Sequence, residues 1–211
     1  MAAAKEAVHF ITFEGPEGAG KTTQCRLLAD LLTSRSENVL ITRQPGGDPV
    51  GQKLRAILLD RSQVPITHET ELLLMMADRS MSVANIIRPH LDAGGTVICD
   101  RYADSSLAYQ GYGRGLDVDL VKHLNVFATG GLLPDLTILI DIDPKMGLAR
   151  QAERTRMEDE GLDFHCRVHA GFLEIARHNP ERIVTVDGRG SIAEIAERVR
   201  LVYEAHSRNR T

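Results

Sequence analysis

Excess positive charge is missing from this chain. Lys and Arg number 25 against 29 Asp and Glu, a formal net charge of −4. That excludes the concentrated basicity by which proteins grip nucleic acid or an anionic membrane surface nonspecifically. Cysteine is scarce too: Cys25, Cys99 and Cys166 are odd in number, far apart and form no C-x-x-C pair. A disulfide scaffold is therefore excluded, and reduced thiols in a cytoplasmic protein are expected. No apolar run reaches the length of a bilayer-spanning helix, and the residues before position 8 lack the apolar core of a secretory signal. Repeats and low-complexity tracts are absent as well. What remains is 43% hydrophobic and 26% charged residues over 211 positions, enough for one domain, 1–211, to close a core without disulfides or metals.

Short apolar segments alternate with helix-periodic ones. Residues 8–14 (VHFITFE) read as a strand buried on both faces, stopped by Gly15-Pro16. Further strands are expected at 39–42, 96–100, 136–143 and 183–186. Helices are expected at 21–35, 51–59 and 117–128, and as two charged helices flanking Gly161. The longest helical pattern, 69–93, carries Leu72, Leu73, Met76, Val83, Ile87 and Leu91 at helical spacing, with Thr67 as N-cap, Pro89 as a kink and Gly94-Gly95 as its end. A last helix opens on Ser191-x-x-Glu194, a capping box, and is expected to bury Ile192, Ile195, Val199 and Val202. Five strands each followed by a helix predict an α/β fold, a five-stranded parallel sheet covered by helices on both faces. Its ligands belong beyond the carboxyl ends of the strands.

Directly after the first strand stands Gly15-Pro16-Glu17-Gly18-Ala19-Gly20-Lys21-Thr22, a match to G-x-x-x-x-G-K-[ST] in its required strand–loop–helix setting. Backbone amides of such a loop point at phosphate, and the helix dipole adds to them. Lys21 supplies a mobile charge to the terminal phosphates, and the Thr22 hydroxyl is a hard oxygen suited to Mg2+. The expected ligand is a nucleoside triphosphate, held by Gly15, Glu17, Gly18, Ala19, Gly20, Lys21, Thr22 and Thr23.

Three classes share this loop. A GTP switch carries an N-K-x-D guanine reader, and Asn-Lys occurs nowhere here. A P-loop ATPase working on a macromolecule remains open, since Asp100 or Asp141 could orient water. Against it stand arginines placed for a second anion: Arg43 and Arg101 after strands, Arg79 in the long helix, and Arg150, Arg154 and Arg156 together. A nucleoside monophosphate fits this inventory. It is largely dianionic at neutral pH, so it needs no general base, only positioning and charge neutralisation.

FEGPEGAGKTTQ (13–24), TRQPGGD (42–48), ADR (77–79), DRYADSSLAYQGYGRG (100–115) and LPDLTILIDID (133–143) together closely resemble the thymidylate kinases, with similarity running from about residue 10 to 202. The resemblance implies the three-layer P-loop nucleoside monophosphate kinase fold and phosphorylation of dTMP to dTDP by ATP and Mg2+. A kinase for another deoxynucleoside monophosphate is the neighbouring alternative. By resemblance, Glu17 lies beside the acceptor sugar, and Arg43 and Arg101 grip the acceptor phosphate. Arg79 bonds thymine O4, Tyr109 sits against the 2′ position, and Ser105, Ser106 and Gln110 line the pocket. Asp100 organises the metal through water. A lid at about 147–161, with Gly147 and Gly161 permitting movement, brings Arg154, and next Arg150, to the γ-phosphate. A homodimer is also implied. The family's usual T-R-E-P-G-G-T reads here with Gln44 and Asp48, and Met75 stands where an aromatic usually stacks on the base.

His165 and His169, four apart with Cys166 beside the first, have a spacing open to metal on one helical face, but no further ligand converges on them and they are expected on a surface helix. Asp141 and Asp143 are expected to be structural, on one face at a strand end.

Overall fold

The computed structural model describes residues 8–60, 65–150, 155–157 and 159–208. Five strands form one wholly parallel sheet: β1 (Phe10–Glu14), β2 (Val39–Arg43), β3 (Thr96–Asp100), β4 (Leu136–Asp141) and β5 (Ile183–Asp187), in spatial order β2-β3-β1-β4-β5. The chain leaves central β1 toward β2 and β3, then crosses back to β4 and β5. The switch point is thus at β1, where the ligand crevice of such sheets opens. Register sets Phe13 beside Asp100, and Asp100 beside Arg43. The P-loop, Arg101 and Arg43 therefore leave the sheet at one level.

Side-chain alternation sends the strands' apolar residues to two cores. Ile11, Phe13, Ile98, Leu136, Ile138 and Ile140 pack with α1 (Lys21–Ser34) and α9 (Ile192–Arg208). Phe10, Val97 and Cys99 face the other way, toward Val83, Ile87 and Tyr102. On that side lie α3 (His68–Ser82), a π-helical segment (Val83–Ile87) and α4 (Arg88–Asp92). Beyond them a second cluster joins Leu139 to Leu72 and Met76 of α3, to the π-helical segment (Leu107–Gly113) that continues α5 (Ala103–Ser106), and to α6 (Val118–Thr129) and α8 (Leu162–His178).

Helix ends follow their caps. Asp48 accepts from the N–H groups of Val50 and Gly51 and starts α2 (Pro49–Leu59) two residues earlier than the periodicity suggests. Thr67 caps α3, and the Ser191–Glu194 capping box forms reciprocally. The expected continuous helix over 69–93 is interrupted. Arg88 N–H bonds Val83 O, one residue further back than in an α-helix, just ahead of Pro89, which has no N–H to give. β4 ends at Asp141, because Asp143 turns away to cap α7 (Pro144–Ala149). Of the two helices expected around Gly161, α8 follows it directly, whereas α7 already ends at Ala149. Ile192, expected in the core, is 61% exposed at the first turn of α9. Helix 103–113 had no amphipathic signature to reveal it, since nearly all of its residues are buried.

Candidate active site

The P-loop is held by two close backbone approaches. A Cβ on Gly15 (φ +140°) would lie 2.4 Å from Ile140 O, and one on Gly18 (φ +69°) 1.9 Å from Gly147 O. Lys21 is buried, and its Nζ donates to Gly15 O at 3.1 Å and Pro16 O at 2.7 Å, spanning the loop. Burial, with the nearby Arg101 charge, lowers its pKa to about 8, although Glu17, Asp100 and Glu14 resist the shift. At the start of α1, the Thr22 hydroxyl donates to Asp100 Oδ2 at the end of β3. A hydroxyl and a carboxylate oxygen brought together beside a phosphate loop are hard donors that fit Mg2+.

Arg101 stands at the centre. Its φ of +70° is a left-handed conformation rare for a non-glycine residue. Nη1 donates to Gly15 O and Ser105 Oγ, and Nη2 to Glu17 Oε1 at 2.9 Å and the Tyr109 hydroxyl at 3.0 Å. The guanidinium also lies 4.9 Å from the Tyr109 ring centroid. Tyr109 passes its own proton toward Glu17 Oε1 at 2.8 Å. Burial alone would raise the Glu17 pKa. The Arg101 and Lys21 charges with the Tyr109 hydrogen bond outweigh it and bring the group to about 2.

Glu14, the last residue of β1, was not singled out by sequence. Its Oε1 accepts from the N–H groups of Tyr102 (2.7 Å) and Ser105 (3.2 Å), and Oε2 contacts Ser105 Oγ at 2.5 Å. It thereby caps α5 from a distant strand and fixes the loop that carries Arg101. Burial and neighbouring Asp104 push its pKa up to about 7, against the pull of Arg101 and its hydrogen bonds.

Two cavities meet here. One follows the P-loop and is lined by residues 17–24, Arg43, Asp100, Arg150 and the turn into α9. The other is lined by Met75, Arg79, Ser105, Ser106, Tyr109 and Gln110, with Pro45, Leu59, Thr155 and Met157. Glu17, Gln44, Arg55 and Arg101 line both. The P-loop cavity, about 780 Å³, is the larger of the two, and its neighbour is about 110 Å³.

Arg79 is fully buried. Nε donates to Gln44 Oε1 (2.9 Å), Nη1 to Ser106 Oγ (2.9 Å) and Asn125 Oδ1 (2.6 Å), and Nη2 to Tyr102 O (2.9 Å). Four of a guanidinium's five N–H groups are so engaged, which leaves one on Nη2. Gln110 is tied to the buried Glu71, which also pairs with Arg114 and Arg156. Arg55, Asn125, Glu71 and Glu14 are site-building residues that sequence reasoning missed. None sits in a pattern that separates it from a surface polar residue, except Glu14, whose place at the end of an apolar strand was the available signal.

The lid region divides. Arg154 lies outside the described residues. Arg150 reaches the P-loop cavity and donates to Gly188 O. Arg156 instead turns to Glu71 and Leu58 O. Gly147 lies inside α7, and a Cβ there would stand 2.2 Å from Glu17 O. Its need for glycine arises from close packing on the P-loop, not from a hinge.

His165, expected on a surface, is buried against Phe164. His169 bonds Asp141 at 2.6 Å, and only Cys166 is exposed. No group of three potential metal ligands occurs among the described residues.

The sheet order, the glycine loop after β1 and the paired cavities define a P-loop nucleoside monophosphate kinase fold. A crystal structure of thymidylate kinase from Ehrlichia chaffeensis superposes with a TM-score of 0.79 at 35% identity, covering 93% of this chain and 99% of that one. The thymidylate kinase of Gloeobacter violaceus is 50% identical over 196 residues, 90% of this chain and 92% of its own. That of Desulfovibrio desulfuricans is 44% identical over 211 residues, 95% and 97% of the two chains. The family model for thymidylate kinase matches residues 13–199. The chain belongs to the thymidylate kinase family.

Proposed function

We propose that this crevice transfers the γ-phosphoryl group of ATP to the 5′-phosphate of dTMP, giving dTDP for dTTP synthesis. The carrying observation is that a P-loop cavity and a smaller cavity share Glu17, Gln44, Arg55 and Arg101 in their walls. Two nucleotides bound there meet tail to tail.

The acceptor phosphate carries nearly two negative charges at neutral pH, its second pKa being about 6, so no base has to free a nucleophile. The protein's work is to hold two mutually repelling anions in line and to disperse charge on the group in transit. Lys21 and the P-loop amides take the donor phosphates. Arg101 and Arg43, joined by Arg55, take the acceptor phosphate. Burial with the Arg43 and Arg101 charges depresses the Arg55 pKa, which is the mark of a cationic cluster suited to an anion. Thr22 and, through water, Asp100 would hold Mg2+, which when bound neutralises phosphate charge. The remaining Nη2 N–H of Arg79 suits thymine O4, and Met75 packs on the base. The Tyr109 hydroxyl, already bonded to Glu17 and Arg101, has little to offer a 2′-hydroxyl, which favours deoxyribose. Arg150, and Arg154 from the lid, serve the γ-phosphate.

A coupled ADP-release assay over a panel of nucleoside monophosphates tests the reading. Stimulation by dTMP is expected. Stimulation by a different monophosphate points to a sister kinase, and indifference to all of them points to an ATPase with a macromolecular partner. Lys21→Ala and Arg101→Ala should each reduce turnover by about 10³ or more with the fold retained. A loss under tenfold would remove them from the reaction.

Two further readings go with this one. Free thiols at Cys25, Cys99 and Cys166 suit the cytoplasm, and no helix among the described residues is long and apolar enough to cross a membrane. A homodimer, implied by family membership, is supported by apolar side chains left outward on α2, α3 and α6.

A further inference from the structure

Gln44 follows β2 and is 3% exposed, yet its Nε2 has no hydrogen-bond partner. An orphaned donor in a buried place is costly and calls for an explanation. The orientation of the amide is fixed, because Arg79 Nε can only donate and lies 2.9 Å from Gln44 Oε1. The NH2 group must then point the other way. Gln44 lines both cavities together with Arg101 and Arg55, so the side chain that carries this buried donor borders the junction of the two.

A glutamate here, the family's usual residue, would turn lone pairs and a negative charge toward an incoming phosphate. The amide turns two N–H groups toward it. Arg79 depends on the same side chain only as one of four neutral acceptors, the others being Ser106, Asn125 and Tyr102 O.

We propose that Gln44 is a specificity-determining residue whose amide N–H groups donate to the phosphate of the acceptor nucleotide at the junction of the two cavities. This rests on the reading of the smaller cavity as the acceptor site. Gln44 links the two ends of the acceptor: its oxygen orders Arg79 at the base end, and its nitrogen meets the phosphate.

The test compares dTMP with thymidine, which keeps base and sugar but lacks the phosphate, by calorimetric binding to wild type, Gln44→Glu and Gln44→Met. Loss of a hydrogen bond to a charged group should weaken dTMP binding about tenfold or more in both variants, with the larger loss in Gln44→Glu. In Gln44→Glu, which keeps an oxygen acceptor for Arg79 Nε, thymidine binding should stay within about twofold of wild type, and in Gln44→Met, which removes that acceptor, thymidine binding should weaken far less than dTMP binding. A parallel loss for both ligands would place Gln44's influence on the base through Arg79 and overturn the proposal. Unchanged dTMP binding would overturn it too. The Met variant keeps the volume of the side chain and carries the test if a carboxylate at 44 disturbs the fold. Wild-type turnover with dTMP is measured alongside. Its absence would sink the proposed function, whereas a normal wild-type rate with unaltered variants sinks only the role of Gln44.

Discussion

At Glu14 a carboxyl group ends the central strand with no solvent around it, and its three hydrogen bonds come from the loop that bears Arg101. Burial and the nearby Asp104 raise its pKa from 4.5 to about 7. Between those two values the folded chain holds a proton that the unfolded chain has released. This group's share of stability is therefore complete below about 4.5 and is lost as pH rises through about 7. Glu14→Gln cannot ionise and keeps an acceptor for the two amides. Its stability relative to wild type should improve from pH 5 to pH 8, by on the order of 2 kcal/mol in urea denaturation. Parallel profiles would mean Glu14 stays ionised throughout. At the same scale, what sequence revealed was the residues whose type and spacing are tied to a loop. Gly15 to Thr22, Arg101, Tyr109 and Ser105 all stand in one crevice. Asp48 in place of threonine is also intelligible, since both side chains can cap a helix from the same position. Glu71 and Asn125 stayed hidden because their partners lie tens of residues away, and Arg55, bonded to Pro45 O ten residues back, stayed hidden because a single polar residue on a helix carries no local sign of burial.

Among the elements, α7 does more for the site than its six residues suggest. Gly147 and Gly18 meet back to back, so that the helix after β4 rests directly on the P-loop. Substituting Gly147 by Ala drives a methyl group to within 2.2 Å of Glu17 O, with backbone as the obstacle. Overpacking of this kind costs about 1–3 kcal/mol, and the loop is the part free to shift. Gly147→Ala should thus lower thermal stability and raise the Michaelis constant for ATP by about tenfold. A variant that is less stable but binds ATP normally would place the strain elsewhere. Strands and amphipathic helices were legible because alternation and 3.6-residue periodicity record which face is buried. The helix over 103–113 escaped because burial on all sides leaves no period. The π turn before Pro89 escaped for another reason: sequence shows that a hydrogen bond is missing, but not how the helix rearranges to do without it.

On the scale of the whole molecule, the sheet buries its two faces but the helical layer does not finish the task. α3 packs against both α2 and α6, and all three keep apolar side chains outward. Val50 and Ile57 lie one above the other on α2, as Leu120 and Phe127 do on α6, and Leu73 projects from α3. Phe127 is 87% exposed and Leu73 59%. Scattered exposed leucines need no explanation, but an almost bare phenylalanine beside a row of aliphatics on adjoining helices is the composition of an interface core. Sedimentation equilibrium should find the wild-type chain as a dimer at micromolar concentration. Phe127→Asp, which sets a charge in the middle of that face, should sediment as a monomer with an unaltered circular dichroism spectrum, since the side chain touches little of its own fold. A wild-type monomer, or a dimer indifferent to a charge at 127, would move the contact away from these helices.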